Sequence, residues 1–245
     1  MQKLLGLMRR CIDDYDMISP GDKIAVGVSG GKDSLVLLVL LAGLREYFNK
    51  PFELEAVTID MGLGMDYSAV QSLCDEIRVP YTVVNTEIAP IIFEHRKEKN
   101  PCSMCAKMRR GALHNALAER GIHKIALGHH FDDVVETILM GMLYGAQIQT
   151  MMPKLHSTNF DGMELIRPMY LIREKDIIRW RDYNDLHFIQ CACRLTESCA
   201  SCGGTEQGSK RGAVKDLIRT LTAQNPQIEK NIFRSVENVN LDTVI

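Results

Sequence analysis

The stretch Lys23-Ile24-Ala25-Val26-Gly27-Val28-Ser29-Gly30-Gly31-Lys32-Asp33-Ser34 constrains the fold more than any other part of this chain. A short apolar run ends in a Ser-Gly-Gly-Lys-Asp-Ser turn, and the turn opens into Leu35-Val36-Leu37-Leu38-Val39-Leu40-Leu41. The order is buried strand, tight glycine turn, buried helix. That arrangement aims backbone N–H groups and a helix N-terminus at an anion, above all a phosphate. The spacing is not that of a Walker A loop, which needs G-x-x-x-x-G-K-[ST]. Here Gly27 stands one residue too close, and Lys32 is followed by Asp33. A plain turn between core elements is the alternative reading. Two adjacent glycines, a lysine and two hydroxyls at one helix start are costly choices for a mere turn.

The same alternation continues along the chain. The pattern predicts strands over 23–28, 52–59, 81–85 and 124–127, with a fifth within 163–169. It predicts helices over 4–16, 33–48, 67–78, 103–120, 132–143, 173–184, 209–223 and 226–238, and leaves 87–100 unassigned. Strands alternating with helices argue for an α/β fold with a doubly wound, mostly parallel five-stranded sheet and helical additions at both ends. At 245 residues and 46% hydrophobic, the chain buries a core without covalent staples. The expectation is one domain over 1–245, with an N-terminal helix within 1–18 and a cysteine-rich loop and closing helices over 186–245. Ligands of such sheets sit outside the carboxyl ends of the strands. Residues 29–34, Asp60 and the run Gly128-His129-His130-Phe131-Asp132-Asp133 all fall at such ends.

No apolar run reaches the ~18 residues of a membrane span, and the first ten residues lack the features of a signal peptide. A cytoplasmic protein without a membrane partner is expected. Net charge is −2, which excludes a generically basic nucleic-acid binder, yet Arg96, Lys97, Lys99, Lys107, Arg109 and Arg110 fall close together. Such a patch docks a polyanion or is simply a solvated helix face. Eight cysteines in a cytoplasmic chain read as metal ligands, nucleophiles or buried thiols rather than disulfides. Cys11 and Cys74 stand alone on helices and read as buried apolar residues. Cys102 and Cys105 form a C-x-x-C at a helix start, a spacing that lets two thiolates share a metal. Cys191, Cys193, Cys199 and Cys202 crowd a glycine-rich stretch. Three readings stay open: zinc held by those four, zinc bridging two C-x-x-C pairs, or an iron–sulfur cluster on Cys102, Cys105 and one later cysteine. Spacing alone favours zinc.

Four segments in order carry a resemblance. They are the loop at 29–34, Cys-Ser-Met-Cys-Ala-Lys-Met-Arg-Arg-Gly at 102–111, Leu-Gly-His-His-Phe-Asp-Asp-Val-Val-Glu-Thr at 127–137, and Arg-Pro-Met-Tyr-Leu-Ile-Arg-Glu-Lys-Asp-Ile at 167–177. Together, over about 20–223, they resemble the tRNA 2-thiocytidine synthetase (TtcA) family of PP-loop ATP pyrophosphatases and sulfurtransferases. The resemblance implies a tRNA-thiolating transferase that splits ATP to AMP and pyrophosphate, adenylates a base carbonyl at C2 of a cytidine, and exchanges oxygen for sulfur. It implies tRNA and a sulfur donor such as a cysteine desulfurase as partners, with a homodimer as a candidate assembly. It also implies a [4Fe–4S] cluster on three cysteines, with one iron left open.

Within that resemblance, Ser29, Gly30, Gly31, Lys32 and Ser34 cradle the phosphates, and Asp33 binds Mg²⁺ or braces the loop. Residues 56–60 up to Asp60 pass the adenine, and Gly128 and His129 contact the nucleotide. Arg109 or Arg110 steadies charge on the α-phosphate, and Asp132 or Asp133 takes a proton or holds Mg²⁺. For Asp132 an N-cap role is the alternative. Cys102, Cys105 and Cys193 are the expected cluster ligands. The late segment departs from the family's usual Pro-Cys-x-x-Cys-Gly through the extra pair Cys199 and Cys202, so Cys191 and Cys202 remain alternatives to Cys193 and zinc remains open there. A related thiolase acting on another tRNA base or a small molecule, and an ATP-binding metal or redox sensor, are the competing functions.

Overall fold

Strand β1 (Lys23–Gly27) lies inside a six-stranded sheet in the computed structural model, which describes residues 1–92, 101–184, 210–240 and 242. Its neighbours are β2 (Glu53–Asp60) and β4 (Lys124–Ala126), and β3 (Tyr81–Asn85), β6 (Glu164–Ile166) and β5 (Lys154–His156) complete the order β3-β2-β1-β4-β6-β5. All pairings are parallel except β5 with β6. Ile24 pairs with Leu54 on one side and with Lys124 on the other.

The sequence expectation of a doubly wound, mostly parallel sheet holds, with six strands in place of five. The added strand, β5, is three residues long, and its Leu155 is exposed. Lys-Leu-His has no buried alternation to reveal it, and only its antiparallel register with β6 makes it a strand. β6 is shorter than the expected 163–169. Pro168 has no N–H to extend the ladder, and the Arg167 N–H is already given to the Pro153 carbonyl.

Among the described residues the helices are α1 (Gln2–Asp14), α2 (Lys32–Arg45), α3 (Ser68–Glu76), a one-turn α4 (Ile88–Pro90), α5 (Pro101–Ala118), α6 (Phe131–Gly145), α7 (Glu174–Tyr183), α8 (Lys210–Gln224) and α9 (Ile228–Ser235). They form two compact units. One is built from Met1–Gly128 and the described part of Pro153–Ala192; the other from His129–Met152 and the described part of Cys193–Ile245.

In the first unit α2 is buried almost all round, through Leu35, Val36, Leu37, Leu38, Leu40, Leu41 and Leu44. Each such side chain contributes about 1.5–3 kcal/mol by leaving water. α1 packs on α2 through a stripe of Leu4, Met8, Cys11 and Ile12. α5 packs on β2 and β3, where Leu117 and Leu113 join Ala25, Val57, Ile125 and Met163. Arg120, just past α5, bonds Glu55 of β2 at 2.5 Å and Thr82 of β3 at 2.8 Å. These contacts fix the start of α5 near the carboxyl edge of the sheet. In the second unit α6, α8 and α9 pack on one another, with Phe131 stacked on Phe233 at 4.6 Å between centroids. No helix among the described residues is long and apolar enough to cross a membrane.

Candidate active site

The strand order reverses at β1: β2 lies to one side, and the chain later returns to place β4 on the other. At such a switch point the connections leave in opposite directions and open a crevice beyond the carboxyl ends. Residues 29–34 follow β1 and Gly128 follows β4, so two of the expected segments meet there. The loop is anchored below by a relay. The Val28 N–H donates to Val57 O at 2.8 Å, Thr58 Oγ1 donates to Val28 O at 3.0 Å, and Tyr81 Oη donates to Thr58 Oγ1 at 2.9 Å.

Gly30 has φ +80°, a left-handed conformation that disfavours any side chain. Gly31 is the extended N-cap of α2. The Ser34 hydroxyl donates to Gly31 O at 2.9 Å and accepts the Ser29 N–H at 3.2 Å. Ser29 Oγ lies 3.3 Å from Ser34 Oγ and accepts the Gly31 N–H at 3.4 Å. Both hydroxyls therefore brace the loop on itself. As at any helix start, the amides of Lys32, Asp33 and Ser34 have no acceptor four residues back and carry the positive end of the α2 dipole. At Gly128 a Cβ would stand 3.0 Å from the Asp33 carbonyl carbon and 3.1 Å from the Ser34 nitrogen. The end of β4 thus closes onto the loop backbone, forming a cradle that suits a polyphosphate.

Lys32 is not an isolated charge. Its ammonium lies 3.0 Å from Asp33 Oδ2 and 2.8 Å from Glu174 Oε1, with about a quarter of the side chain exposed. Burial pulls its pKa down. The hydrogen bond to Glu174 and the charges of Asp33 and Glu174 outweigh that, and the pKa ends above the ordinary lysine value. Glu174 had no assigned role in the sequence. In the first turn of a helix an acidic residue is already explained by the helix dipole, which hides a second duty.

At the end of β2, Asp60 Oδ1 accepts a hydrogen bond from Tyr67 Oη at 3.0 Å, and its carbonyl accepts from Thr86 Oγ1 at 2.6 Å. Burial, then the bond and charge of Asp60, push the Tyr67 phenol well above its usual range, while the Arg109 charge pulls it back. Asp60 and Arg109 therefore act on one phenol at the carboxyl edge. Tyr67 was not anticipated, because nothing in its spacing marks it.

Arg109 is half-buried, and Arg110 is exposed, its Nε donating to the Ala106 carbonyl at 3.3 Å. Lys107 is exposed as well. Arg96, Lys97 and Lys99 lie outside the described residues. Positions 102 and 105 are three apart in the first turns of α5, on one helix face and at the end that favours negative charge. Cys105 is half-buried one turn before Arg109. A C-x-x-C spacing in the first turns of a helix suits a soft metal centre. Cys191, Cys193, Cys199 and Cys202 all lie outside the described residues, and among the described residues no three His, Cys, Asp or Glu side chains converge as a metal site. Cys11 and Cys74 are fully buried, as expected, and burial pushes their thiols up to about 12 and about 11.

In the second unit, α6 begins at Phe131, and its N-cap is the buried His130. The N-cap alternative for Asp132 is thereby corrected: Asp132 sits two residues into the helix, with Oδ2 3.7 Å from His130 Nδ1. The carboxylate that answers the cap is that of Asp133, whose Oδ2 accepts the His130 N–H at 3.0 Å. Asp133 Oδ1 also receives Arg211 at 2.8 Å, and Arg211 Nε bonds Glu136 Oε2 at 2.6 Å. Burial raises the Glu136 carboxyl pKa, against the opposing pull of Arg211. Asp133 is thus held by structure on both oxygens. His129 is half-buried.

A cleft of about 550 Å³ opens at the opposite, amino ends of the strands, lined by Asp22, Lys23, Lys124, Lys154 and Glu164 among others. Its lining charges largely pair with one another.

A phosphate-fitting loop at the switch point of a parallel sheet defines a nucleotide-binding α/β protein. Residues 6–194 match the PP-loop domain family. Over 244 residues, 97% of its length, the chain is 36% identical to a tRNA-cytidine(32) 2-sulfurtransferase of Coxiella burnetii (strain Dugway 5J108-111), covering 90% of that protein. A protein of the same name from Anaeromyxobacter sp. (strain K) is 36% identical over 241 residues, 79% of its length. Among solved structures, the U34-tRNA thiolase NcsA from Methanococcus maripaludis, with its [4Fe-4S] cluster, shares the fold with a TM-score of 0.73 at 24% identity, over 98% of this chain and 82% of that one. The chain belongs to the tRNA 2-thiocytidine synthetase family of PP-loop proteins, as its motifs implied.

Proposed function

We propose that the protein is an ATP-dependent tRNA sulfurtransferase that replaces the C2 oxygen of a cytidine with sulfur, at position 32 by the name its relatives carry. The observation that carries this is the pairing, within one unit, of the Gly128-closed phosphate loop with a C-x-x-C helix start that also bears Arg109. The loop amides and Lys32 hold the β- and γ-phosphates of ATP, with Mg²⁺ as counter-ion, and the Lys32 contact favours the bracing role for Asp33. Residues 56–60 up to Asp60, with Tyr67 bonded to it, serve the adenine, and Gly128 and His129 serve the nucleotide.

The base oxygen attacks the α-phosphorus; the bond to the β-phosphate breaks, and pyrophosphate leaves with its electron pair. Arg109 offsets the charge that develops there. Sulfur then adds at C2 and AMP departs with the former carbonyl oxygen. Cys102, Cys105 and Cys193, with Cys191 or Cys202 as alternative third ligands, would hold a [4Fe–4S] cluster, which would supply a site for sulfide. Asp132 or Asp133 is the α6 carboxylate that takes a proton or carries Mg²⁺. The basic residues within 96–110 meet tRNA phosphates, a cysteine desulfurase is the class of sulfur donor, and a homodimer is the assembly to test.

The test is anaerobic purification, analysis of iron, sulfide and zinc, and incubation with ATP, a sulfide source and bulk tRNA followed by nucleoside analysis. Iron with sulfide, 2-thiocytidine, AMP and pyrophosphate are expected. Zinc alone, with no iron uptake on reconstitution and no thionucleoside, overturns the proposal. A thiouridine in place of thiocytidine moves it to the neighbouring thiolase activity.

A further inference from the structure

We infer that Glu174 is a positioning residue for the phosphate-loop lysine: together with Asp33 it takes two of the three N–H donors of Lys32 and so directs the third. This rests on the ATP reading above and adds to it a residue from α7. An ammonium has three tetrahedral donors on a flexible four-carbon stem, and held by nothing it points in many directions. Here two carboxylate oxygens, Asp33 Oδ2 at 3.0 Å and Glu174 Oε1 at 2.8 Å, fix two of the three.

The two supports come from different places. Asp33 is the next residue in α2, whereas Glu174 stands in the first turn of α7, which packs on α2. The same turn of α7 is tied down independently by Asp176, which receives Lys3 Nζ at 2.8 Å. Ile177 is buried and α7 packs on α2, so Glu174 acts from a fixed platform that does not depend on this exposed ion pair. Glu174 is itself a carboxylate and brings a negative charge to within 2.8 Å of the loop's lysine. That charge opposes a triphosphate in the ground state, so the trio serves aim rather than affinity. A residue that aims a charge without adding to substrate binding lowers kcat when removed and leaves substrate affinity unchanged or improved.

The experiment compares wild type, E174Q and D176N in two assays: Kd for α,β-methylene ATP, which keeps the triphosphate and cannot be split at the reacting bond, and the rate of tRNA-dependent pyrophosphate release. E174Q keeps an acceptor of the same shape and removes the charge. It is expected to bind the analogue at least as tightly as wild type, up to about fivefold tighter, and to release pyrophosphate at least tenfold more slowly. D176N breaks the neighbouring α7 ion pair and is expected to match wild type within twofold in both assays. Wild-type turnover in E174Q overturns the inference. A loss of analogue affinity as large as the loss of rate does the same, as does an equal loss in D176N, which makes the effect one of α7 seating. A wild-type protein that binds no analogue at all removes the ATP reading itself, an outcome distinct from the other three.

Discussion

At Gly128 a single methyl group is enough to disturb the phosphate loop. A Cβ there meets the carbonyl carbon and oxygen of Asp33 and the nitrogen of Ser34 at 3.0–3.2 Å. These are backbone atoms, which cannot swing aside as a side-chain tip does, so the loop must shift by a few tenths of an ångström. Overpacking of this kind costs about 1–3 kcal/mol. Because the strain falls on the backbone of the loop proposed to cradle the phosphates, Gly128→Ala is expected to weaken ATP-analogue binding at least tenfold, about 1.4 kcal/mol. The thermal midpoint should fall by only a few degrees, and calorimetry paired with a melting curve reads both. Wild-type affinity in this variant contradicts the close approach. The loop residues were legible because their chemistry is written in consecutive positions. Gly128 was legible as a strand end and, through the resemblance, as a nucleotide contact. The reason it must be glycine depends on a contact between segments about a hundred residues apart, which no local pattern records.

The elements were legible where burial imposes a period. β1 to β4 declare themselves as apolar runs bounded by turns, and α1 shows a one-sided stripe, whereas β5 offers neither. Lys124 is the instructive case, because it opens β4 as a charged residue yet is buried. Its ammonium lies 2.5 Å from Asp22 and 2.8 Å from Glu164, and donates to Met17 O at 2.9 Å. It thereby ties the start of β4 to the start of β6 and to the turn before β1. Burial pulls its pKa down, but the bonds and charges of Asp22 and Glu164 outweigh burial and leave it raised. A lysine whose folded pKa exceeds its unfolded one adds stability that is complete below the unfolded value and is lost as pH rises through the folded value. Wild type is therefore expected to lose this increment above about pH 10.5. Lys124→Met takes the shared cation from the buried Glu164 and the half-buried Asp22, with Lys154 still 3.4 Å from Glu164, and is expected to cost about 3 kcal/mol at pH 7, the low end for a broken buried pair. It should also lack the alkaline increment. Urea unfolding at pH 7 and across pH 9.5–11.5 checks both, and a variant within 1 kcal/mol of wild type at pH 7, on the scale of a surface pair, contradicts the buried network.

For the whole molecule, the family, the sheet and the reaction were readable because chemistry-bearing residues sit in short runs: 29–34, 102–111 and 127–137. The counter-charges were not readable. Glu174 answers Lys32, and Arg211 answers Asp133 and Glu136, from 78 and 75 positions away in the latter pairs. Each is a common helix-surface residue type until the fold supplies its partner. In the proposed function the nucleotide and metal roles fall on separate helices of the sheet-containing unit, Lys32 on α2 and Cys105 on α5. They should be separable by mutation. Cys105→Ser leaves the loop, its relay through Thr58 and Tyr81, and the Lys32 trio intact. It is expected to bind α,β-methylene ATP within twofold of wild type while losing iron and all tRNA thiolation. Lys32→Ala removes the loop's cation and leaves α5 untouched. It should keep wild-type iron and sulfide content, bind the analogue about tenfold more weakly, a loss of about 1.4 kcal/mol, and lose pyrophosphate release. Calorimetry and metal analysis on the same two preparations decide the matter. Loss of nucleotide binding in Cys105→Ser, or loss of iron in Lys32→Ala, shows the two functions to be one coupled site and rules out independent assembly on α2 and α5.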